Sequence, residues 1–316
     1  MIRVPHPATF SPLKNRIIAL LVVVSVAPAQ DVTAAQLPGT QVVMLGTGTP
    51  IPDPERSGPA VAIVSNGTAY LVDAGPGVMR RAEQARRAGI AALAPSRIET
   101  VFLTHLHSDH TVGLPDVIHT GWVAERERPL QLYGPAGTRD MAAHLTEAWR
   151  QDIAVRTGGL QPHTDAGWRV EARDIQGGVV FQDSNVTVTA IPAPHANLPQ
   201  AFGYRFQTRD RVIVISGDTR PSDAIVGACN GCDVLVHEVY SLEKFRARAP
   251  AWQMYHADAH TSTVELAALA TRARPKLLVL YHQLLWGASD EDLLQEMRSA
   301  GYTGAVVSAR DLGIYP

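Results

Sequence analysis

The chain has 316 residues, of which 46% are hydrophobic and 18% are charged. This balance supports a globular core and excludes an extensively disordered protein. The formal net charge of −2 at pH 7 gives no sign of the basic face that binding to a phosphate backbone usually needs. Composition therefore makes a nucleic-acid partner unlikely, although a local basic patch is compatible with a neutral total.

The N-terminal segment has the pattern of a secretory signal peptide. Lys14 and Arg16 precede the apolar run 17–26, and Ala-Pro-Ala follows it. This run is shorter than the roughly 20 residues of a membrane span. We expect residues 1–29 to be a signal peptide that is removed, so that residues 30–316 form one periplasmic or secreted domain without membrane contact. A retained membrane anchor is the alternative.

The first half of the chain predicts strands joined by turns and helices. Strands are predicted at 41–45, 61–65, 69–72, 101–104 and 130–133, and helices at 78–88, within 112–124 and at 138–150. Asn66-Gly67 lies between two of these strands and is the strongest hairpin signal in the chain. Signals are weaker from residue 151 to residue 185.

The cluster at residues 105–110 contains three histidines and one aspartate directly after an apolar strand. Neutral imidazole and carboxylate are the usual nitrogen and oxygen ligands of zinc and similar ions. In an extended segment His105 and His107 point to the same side, whereas Asp109 and His110 need a turn that aims them at a second nearby point. The cluster therefore predicts two adjacent metal ions. A histidine-rich loop without metal is disfavoured, because so many polar groups resist burial without a cation.

The second half predicts strands that first pair in a hairpin and later alternate with helices. Strands are predicted at 186–191, 202–206, 212–215, 234–236, 277–280 and 305–307, and helices at 262–272 and 290–300. Ser262 and Glu265 form a capping box at the start of one helix. This order favours an α/β fold (α+β in some schemes) with two mixed sheets and helices outside them. Between two of these elements, Cys229 and Cys232 form either a local disulfide or an unpaired turn, without a catalytic role.

Four further metal-site candidates lie where an apolar strand ends or a capped helix begins. They are His195, Asp218, His260 and His282. Each signal is weak alone, but together with the cluster at 105–110 they predict one site at a common rim of the sheets. Glu238 follows a predicted strand and is either a carboxylate that orients His260 or a rim residue without a role.

The motifs and their order resemble the metallo-β-lactamase-fold hydrolases, specifically the branch that contains RNase Z. The similar segments are 45–50, 70–75, 104–110, 194–195, 201–205, 216–219, 260–263 and His282. Residues 105–110 are similar to the signature His-x-His-x-Asp-His of that family. The resemblance implies a four-layer αβ/βα sandwich of two mixed sheets flanked by helices.

The resemblance also implies a role for each candidate. One metal ion would be bound by His105, His107 and His195, and a second by Asp109, His110 and His282, with Asp218 bridging both. Two zinc ions are the default, and Mn²⁺ or Fe²⁺ also suits a mixed His/Asp site. Such a pair acidifies a bridging hydroxide that attacks the substrate. Asp109 would also orient this nucleophile or accept its proton, and His260 would protonate the leaving group or bind the anionic ester.

The chain departs from RNase Z in one segment. RNase Z enzymes generally carry a long arm that grips tRNA, whereas here the strands at 202–206 and 212–215 are joined by only five residues, 207–211. Together with the expected export and the net charge, this opposes tRNA maturation. Residues 75–78 and 115–118 are similar to the exported arylsulfatase-like members of the branch.

We therefore expect an exported two-metal hydrolase that cleaves small sulfate or phosphate esters, with a small anionic ester as its partner. The alternatives are an RNase Z-type endoribonuclease, a lactone or β-lactam hydrolase, and a binding module with a decayed site. A homodimer is favoured only by the resemblance to this family. Trp122, Trp252, Tyr255 and Trp286 are candidates for the wall of the substrate pocket, although aromatic residues more commonly belong to the core.

Overall fold

The computed structural model describes residues Gly39–Pro316, and the predicted signal peptide at 1–29 lies outside these residues. The strands are β1 Gln41–Gly46, β2 Ala60–Ser65, β3 Thr68–Val72, β4 Thr100–Phe102, β5 Leu130–Gly134, β6 Val170–Asp174, β7 Gly178–Gln182, β8 Val186–Pro192, β9 Phe202–Thr208, β10 Val212–Ile215, β11 Val234–Tyr240, β12 Leu277–Leu284, β13 Val306–Ser308 and β14 Ile314–Tyr315. They form two seven-stranded sheets. The first has the order β14-β1-β2-β3-β4-β5-β6, and the second β13-β12-β11-β10-β9-β8-β7.

Both sheets are mixed and carry helices on their outer faces. The helices are α1 Val78–Arg87, α2 Ser108–Thr111, α3 Leu114–Val123, α4 Thr138–Ala148, α5 Arg150–Gly158, α6 Asp223–Cys229, α7 Leu242–Arg246, α8 Pro250–Ala259, α9 Thr263–Ala273 and α10 Asp290–Ser299, with 3-10 turns at Ala91–Leu93 and Pro95–Arg97. Among these, none is both long and apolar enough to cross a bilayer. The predicted fold class is confirmed.

The inner strands read as continuous apolar runs because both of their faces are buried. In β1, Val42 and Met44 pack into the core between the sheets, whereas Val43 and Leu45 pack under the helices of the first sheet. The core between the sheets is aromatic near β4: the Phe102 ring lies 5.1 Å from Tyr133 and is stacked on it. This packing holds the ends of β4 and its neighbours in one place, and the metal-site candidates follow those ends.

The turn and helix-cap residues singled out in the sequence have well-defined conformations in the structure. Asn66 and Gly67 have φ values of 48° and 73°, the left-handed pair that a two-residue hairpin between β2 and β3 needs. Cys229 and Cys232 form a disulfide that closes the turn after α6, which settles the alternative left open by their spacing. The capping box of Ser262 is present at the start of α9, as predicted.

The structure corrects several element boundaries. The helix predicted at 138–150 is interrupted at Trp149 and continues as α5, and the weak segment up to residue 185 contains β6 and β7. The strands predicted at 234–236 and 277–280 extend to Tyr240 and Leu284. Glu238 and His282 therefore lie within strands. In the sequence, these polar residues indicated that the two strands end before them. In the structure the strands continue, because the polar side chains face a buried site instead of solvent.

Candidate metal centre

The centre begins where β3 and β4, which are parallel neighbours, end side by side. Asp73 follows β3 with a φ of 64°, so its carboxylate turns back toward the loop that follows β4. Its Oδ1 accepts a hydrogen bond from the Thr104 backbone N–H at 2.8 Å. Its Oδ2 accepts a hydrogen bond from His110 Nδ1 at 2.8 Å. Asp73 thus orients His110, a role that its place in the similar segment 70–75 does not by itself reveal.

A first group of ligand atoms joins the two sheets. His105 Nε2 lies 3.0 Å from His107 Nδ1, and His195 Nε2 lies 3.2 Å from the same atom. His195 follows β8 of the second sheet, and its Nδ1 donates a hydrogen bond to the Ala259 carbonyl at 2.7 Å. This bond leaves Nε2 facing the other two histidines. The three nitrogens form one of the groups that could hold a metal ion.

A second group lies beside the first. His282 Nε2 is 3.3 Å from Asp109 Oδ2, and His110 Nε2 is 3.5 Å from the same oxygen. These three residues form a further set able to hold an ion. His282 has a φ of 43° within β12, where pairing with β11 shifts after Glu238. The irregularity turns the imidazole out of the sheet and into the centre.

Asp218 lies between the two groups. Its Oδ2 is 4.0 Å from His105 Nε2, 3.4 Å from His110 Nε2 and 3.3 Å from His282 Nε2. The residue before it, Gly217, has a φ of 61°, and a Cβ there would lie 2.7 Å from the Phe202 carbonyl oxygen. Only glycine permits this turn after β10, and the turn carries Asp218 into the centre.

Burial and charge together determine protonation in the centre. Burial lowers the pKa of His105 well below its usual range, and the charge of His110 lowers it further. Burial alone would raise the pKa of Asp218, but the positive charges of His282 and His110 hold it well below its usual range. Burial would lower the pKa of His110, but Asp218 and Asp73 raise it well above the ordinary value. An ionised carboxylate thus lies amid imidazoles whose positive charge balances it.

Burial and nearby groups also determine the protonation of the remaining ligand candidates. Burial lowers the pKa of His107 and of His195, so both imidazoles are neutral, the form that binds a metal ion. Burial would raise the pKa of Asp109, but the hydrogen bond from His282 and the charges of His110 and His282 together lower it. A divalent ion would compete with the protons on the neighbouring imidazoles, whose positive charge balances these carboxylates.

The donor set fits two divalent metal ions. His110 Nε2 and Asp218 Oδ1 are buried without a hydrogen-bond partner anywhere in residues 39–316. Orphaned buried polar atoms cost free energy unless another group satisfies them, and imidazole with carboxylate suits zinc, manganese or iron. The His/Asp cluster is consistent with a dinuclear site, while the division of ligands between two ions stays a prediction.

His260 and Glu238 lie together at one side of the centre. His260 follows α8, and its Nδ1 is 3.4 Å from Glu238 Oε2 and 3.9 Å from Asp218 Oδ2. Glu238 Oε1 accepts a hydrogen bond from the Thr261 backbone N–H at 2.9 Å, which holds the carboxylate beside the imidazole. Burial lowers the pKa of His260 to about 4. Burial and the charge of Asp218 raise the pKa of Glu238 well above its usual range. Glu238 Oε2 and His260 Nδ1 are within ion-pair distance but are not hydrogen-bonded in the described residues, so the orienting role of Glu238 stays a prediction.

Of the four aromatic candidates for the pocket wall, Trp122 belongs elsewhere. It is 2% exposed, and its Nε1 donates a hydrogen bond to the Thr164 carbonyl at 3.0 Å, so it is a core residue. On the opposite side of the centre, a cavity adjoins Asp109. Its lining includes Pro50, Pro52, Asp53, Arg56, Pro76, Gly77 and Val112. The loop between β1 and β2, the turn before α1 and the residue after α2 therefore form the cavity wall beside Asp109.

Comparison with known proteins identifies the family. The β-lactamase superfamily domain matches residues 68–283. Ribonuclease Z of Mycobacterium bovis is 33% identical over 279 residues, which cover 86% of this chain and 96% of that protein. The chain belongs to the β-lactamase superfamily and has the metallo-β-lactamase fold. Within that family it is a homologue of ribonuclease Z and a metal-dependent hydrolase.

Solved structures agree on the fold. The metallo-β-lactamase fold protein YhfI from Bacillus subtilis has a TM-score of 0.66 at 16% identity, covering 87% of this chain and 98% of that one. The short form of human tRNase Z has a TM-score of 0.65 at 23% identity, with the same two coverages. The predicted resemblance to the RNase Z branch is confirmed, whereas the closer likeness to arylsulfatase-like members stays a prediction.

Proposed function

We propose that this chain hydrolyses phosphodiesters at a two-metal centre, as an RNase Z-type enzyme. The observation that carries the proposal is the position of His260, an imidazole with an adjacent carboxylate 3.4 Å away, at the edge of the two ligand groups. The kinship with ribonuclease Z of Mycobacterium bovis supports the same chemistry. Zinc suits the donor set best, with manganese and iron as alternatives.

The short turn between β9 and β10 does not oppose this proposal as strongly as the sequence alone suggests. The turn spans only the three residues between Thr208 and Val212. However, 279 aligned residues make up 96% of the Mycobacterium bovis protein. Its length is therefore close to that of the domain at Gly39–Pro316. The short turn is compatible with a relative whose full length is nearly matched by this chain.

Each side chain contributes a definable step. Two divalent ions, when bound, supply positive charge that stabilises the transition state and acidifies a water nucleophile. Asp109, which lines the cavity, would orient the nucleophile or accept its proton. His260 Nδ1 faces Glu238, which leaves Nε2 for the substrate. The charge of an anionic ester would raise the low pKa of His260, so that its imidazolium would protonate the leaving oxygen, with Glu238 Oε2 3.4 Å from Nδ1.

The test compares His260→Ala with His144→Ala, which removes an exposed histidine of α4 remote from the centre. Both are loaded with zinc, their metal content is quantified, and hydrolysis of bis(p-nitrophenyl) phosphate is followed. We expect His260→Ala to lower kcat by about 100-fold or more, the usual contribution of a general acid, with metal content unchanged. Equal rates in the two variants would remove the assigned role of His260.

A second candidate is an exported hydrolase of small sulfate or phosphate esters. It is favoured by the signal-peptide pattern at 1–29 and by the disulfide between Cys229 and Cys232, since disulfides persist in oxidising compartments. The same purified protein separates the candidates when it is given a tRNA precursor with a 3′ trailer, p-nitrophenyl sulfate, a lactone and a chromogenic β-lactam. Cleavage of the precursor alone supports the endoribonuclease, and turnover of the sulfate supports the exported esterase.

A further inference from the structure

An exposed aromatic surface lies beside the metal centre and has no part in the chemistry described above. We name it the aromatic platform: the exposed Trp252 and Tyr255 of α8, together with the half-buried Trp286 and the buried His256 that packs against them. The Trp252 side chain is 51% exposed and Tyr255 is 39% exposed. Large aromatic side chains that lie next to one another and are exposed to water are typical of binding surfaces. The contrast is Trp122, which is buried and hydrogen-bonded.

The platform is tied to the centre through the end of α8. His260 caps that helix, and the last residue of the helix, Ala259, accepts the hydrogen bond from the metal-ligand candidate His195. The His256 ring lies 5.5 Å from the His260 ring, and the Tyr255 ring lies 6.2 Å from it. A group bound on Tyr255 would therefore lie within reach of a short linker from an ester held at His260.

The platform is pre-organised by stacking. The Trp252 ring is stacked on His256 at 5.5 Å, and His256 contacts Trp286 at 4.6 Å. The Arg248 guanidinium lies 5.7 Å from the Trp252 ring centroid and 5.2 Å from that of Trp286. Such cation–π contacts fix the indole planes, so little side-chain freedom is lost when a ligand stacks on them.

Arg248 also gives the platform a positive charge. Its Nε has no hydrogen-bond partner within residues 39–316, and no carboxylate lies within ion-pair distance of it in that range. A flat apolar surface with an unneutralised cation suits a planar aromatic group that is attached to an anion. Phosphate and sulfate esters of aryl or nucleoside groups have this character, because the anion and the ring are joined by a short linker.

We propose that the aromatic platform is a specificity subsite that stacks the planar aromatic group of an ester whose anionic part is bound at the metal centre. The inference rests on the proposed function for the position of the anion. It adds the substrate class: the ester carries an aromatic ring, either a simple aryl group or a nucleobase.

The experiment measures binding of two phosphonates that share charge and approximate size but differ in aromaticity. Phenylphosphonate and cyclohexylphosphonate are titrated by calorimetry into zinc-loaded wild type, Trp252→Ala and Trp149→Ala. Trp149 is the matched control, because it is 39% exposed at the junction of α4 and α5, where it packs on His119 instead of the platform. We expect wild type and Trp149→Ala to prefer the phenyl ligand by about tenfold, from the usual strength of aromatic stacking, and Trp252→Ala to lose the preference.

A second pair of ligands identifies the source of the ring. Adenosine 5′-monophosphate is compared with ribose 5-phosphate, which lacks the base. A preference for the nucleotide that is lost in Trp252→Ala assigns the subsite to a nucleobase, and a preference for phenylphosphonate alone assigns it to an aryl group. Tyr255→Leu, which keeps Trp252, should weaken the same preference. Equal affinities within both pairs in wild type would overturn the subsite.

The outcome also separates the subsite from the proposed function. Hydrolysis of bis(p-nitrophenyl) phosphate without any aromatic preference would overturn the subsite and leave the phosphodiesterase intact. Aromatic preference without hydrolysis of any ester would support the subsite and count against the phosphodiesterase.

Discussion

The two sheets contribute to the metal centre in different ways. The first sheet supplies one continuous segment, residues 105–110, which begins after the two residues that follow β4. The second sheet supplies separate residues: His195 follows β8, Asp218 follows β10, and His282 lies within β12. The two contributions meet at Asp218, which is within 4.0 Å of ligand atoms from both sides.

This difference follows from topology. Strands β10, β11 and β12 are parallel, and β8 runs in the same direction because two antiparallel pairings separate it from β10. Their carboxyl ends therefore meet at one rim, so residues far apart in sequence become neighbours there. The ligands within residues 105–110 are brought together by one local turn. The ligands of the second sheet come together only once its strands have paired with one another.

The largest expected effect comes from removing the residue that joins both contributions. Asp218→Ala takes away the carboxylate nearest to both ligand groups and leaves several buried imidazoles without their counter-charge. We expect loss of bound zinc to below one ion per chain and a fall in kcat/KM for bis(p-nitrophenyl) phosphate of at least about 1,000-fold. Metal quantification and kinetics on the same sample test this.

The control is Asp223→Ala, an exposed aspartate at the start of α6, where neither metal content nor rate should change. If Asp218→Ala kept two ions per chain, Asp218 would not connect the ligand groups, and each group would bind its ion without this carboxylate.

A smaller effect is expected at Asp73, which belongs to the first sheet alone. Asp73→Asn keeps the shape of the side chain but weakens the hydrogen bond that orients His110. We expect zinc affinity to fall by about 10–100-fold, the usual cost of losing an orienting partner of a ligand. Competition with a chromogenic chelator measures this affinity. Asn66→Asp, in the β2–β3 turn, is the control for surface charge, and an unchanged affinity in Asp73→Asn would remove the orienting role.

Much of the centre could be predicted from sequence, because the first sheet supplies its ligands in one continuous segment. The spacing of His105 and His107 predicts a shared direction, and residues 105–110 by themselves indicate two points of metal binding. The structure brings His195, Asp218, His260 and His282 to the same place, but each was a weak signal singly. Only their order within a known family gave them roles.

The remainder depends on contacts that no local pattern encodes. Glu238 and His282 were predicted to follow strands, yet β11 and β12 continue to Tyr240 and Leu284, with a register shift beside these two residues. Asp73 lay in a similar segment without a role, because its bond to His110 spans two strands. Three residues of the aromatic platform were among the four candidates for the pocket wall, and only exposure separates Trp252 from the buried Trp122.

The smallest expected effect concerns a contact that joins the two halves directly. Arg56, in the loop after β1, donates two hydrogen bonds to Asp290 at the start of α10, at 2.8 and 2.9 Å. It also donates to Gln283 Oε1 at 2.9 Å, beside the ligand candidate His282. The pair is largely buried, with side chains 12% and 19% exposed, so the planar guanidinium has a geometric role that an ammonium cannot replace.

We therefore expect Arg56→Lys to lower the free energy of unfolding by about 1–2 kcal/mol, because charge is kept while the paired bonds are lost. Arg128→Lys is the control, since Arg128 pairs with Glu99 while 75% exposed, and such surface pairs contribute about 0–1 kcal/mol. Urea denaturation of the two variants gives the comparison. If both lost the same small amount, the halves would be held together by the apolar core between the sheets, and the contact at Arg56 would matter only for the position of His282.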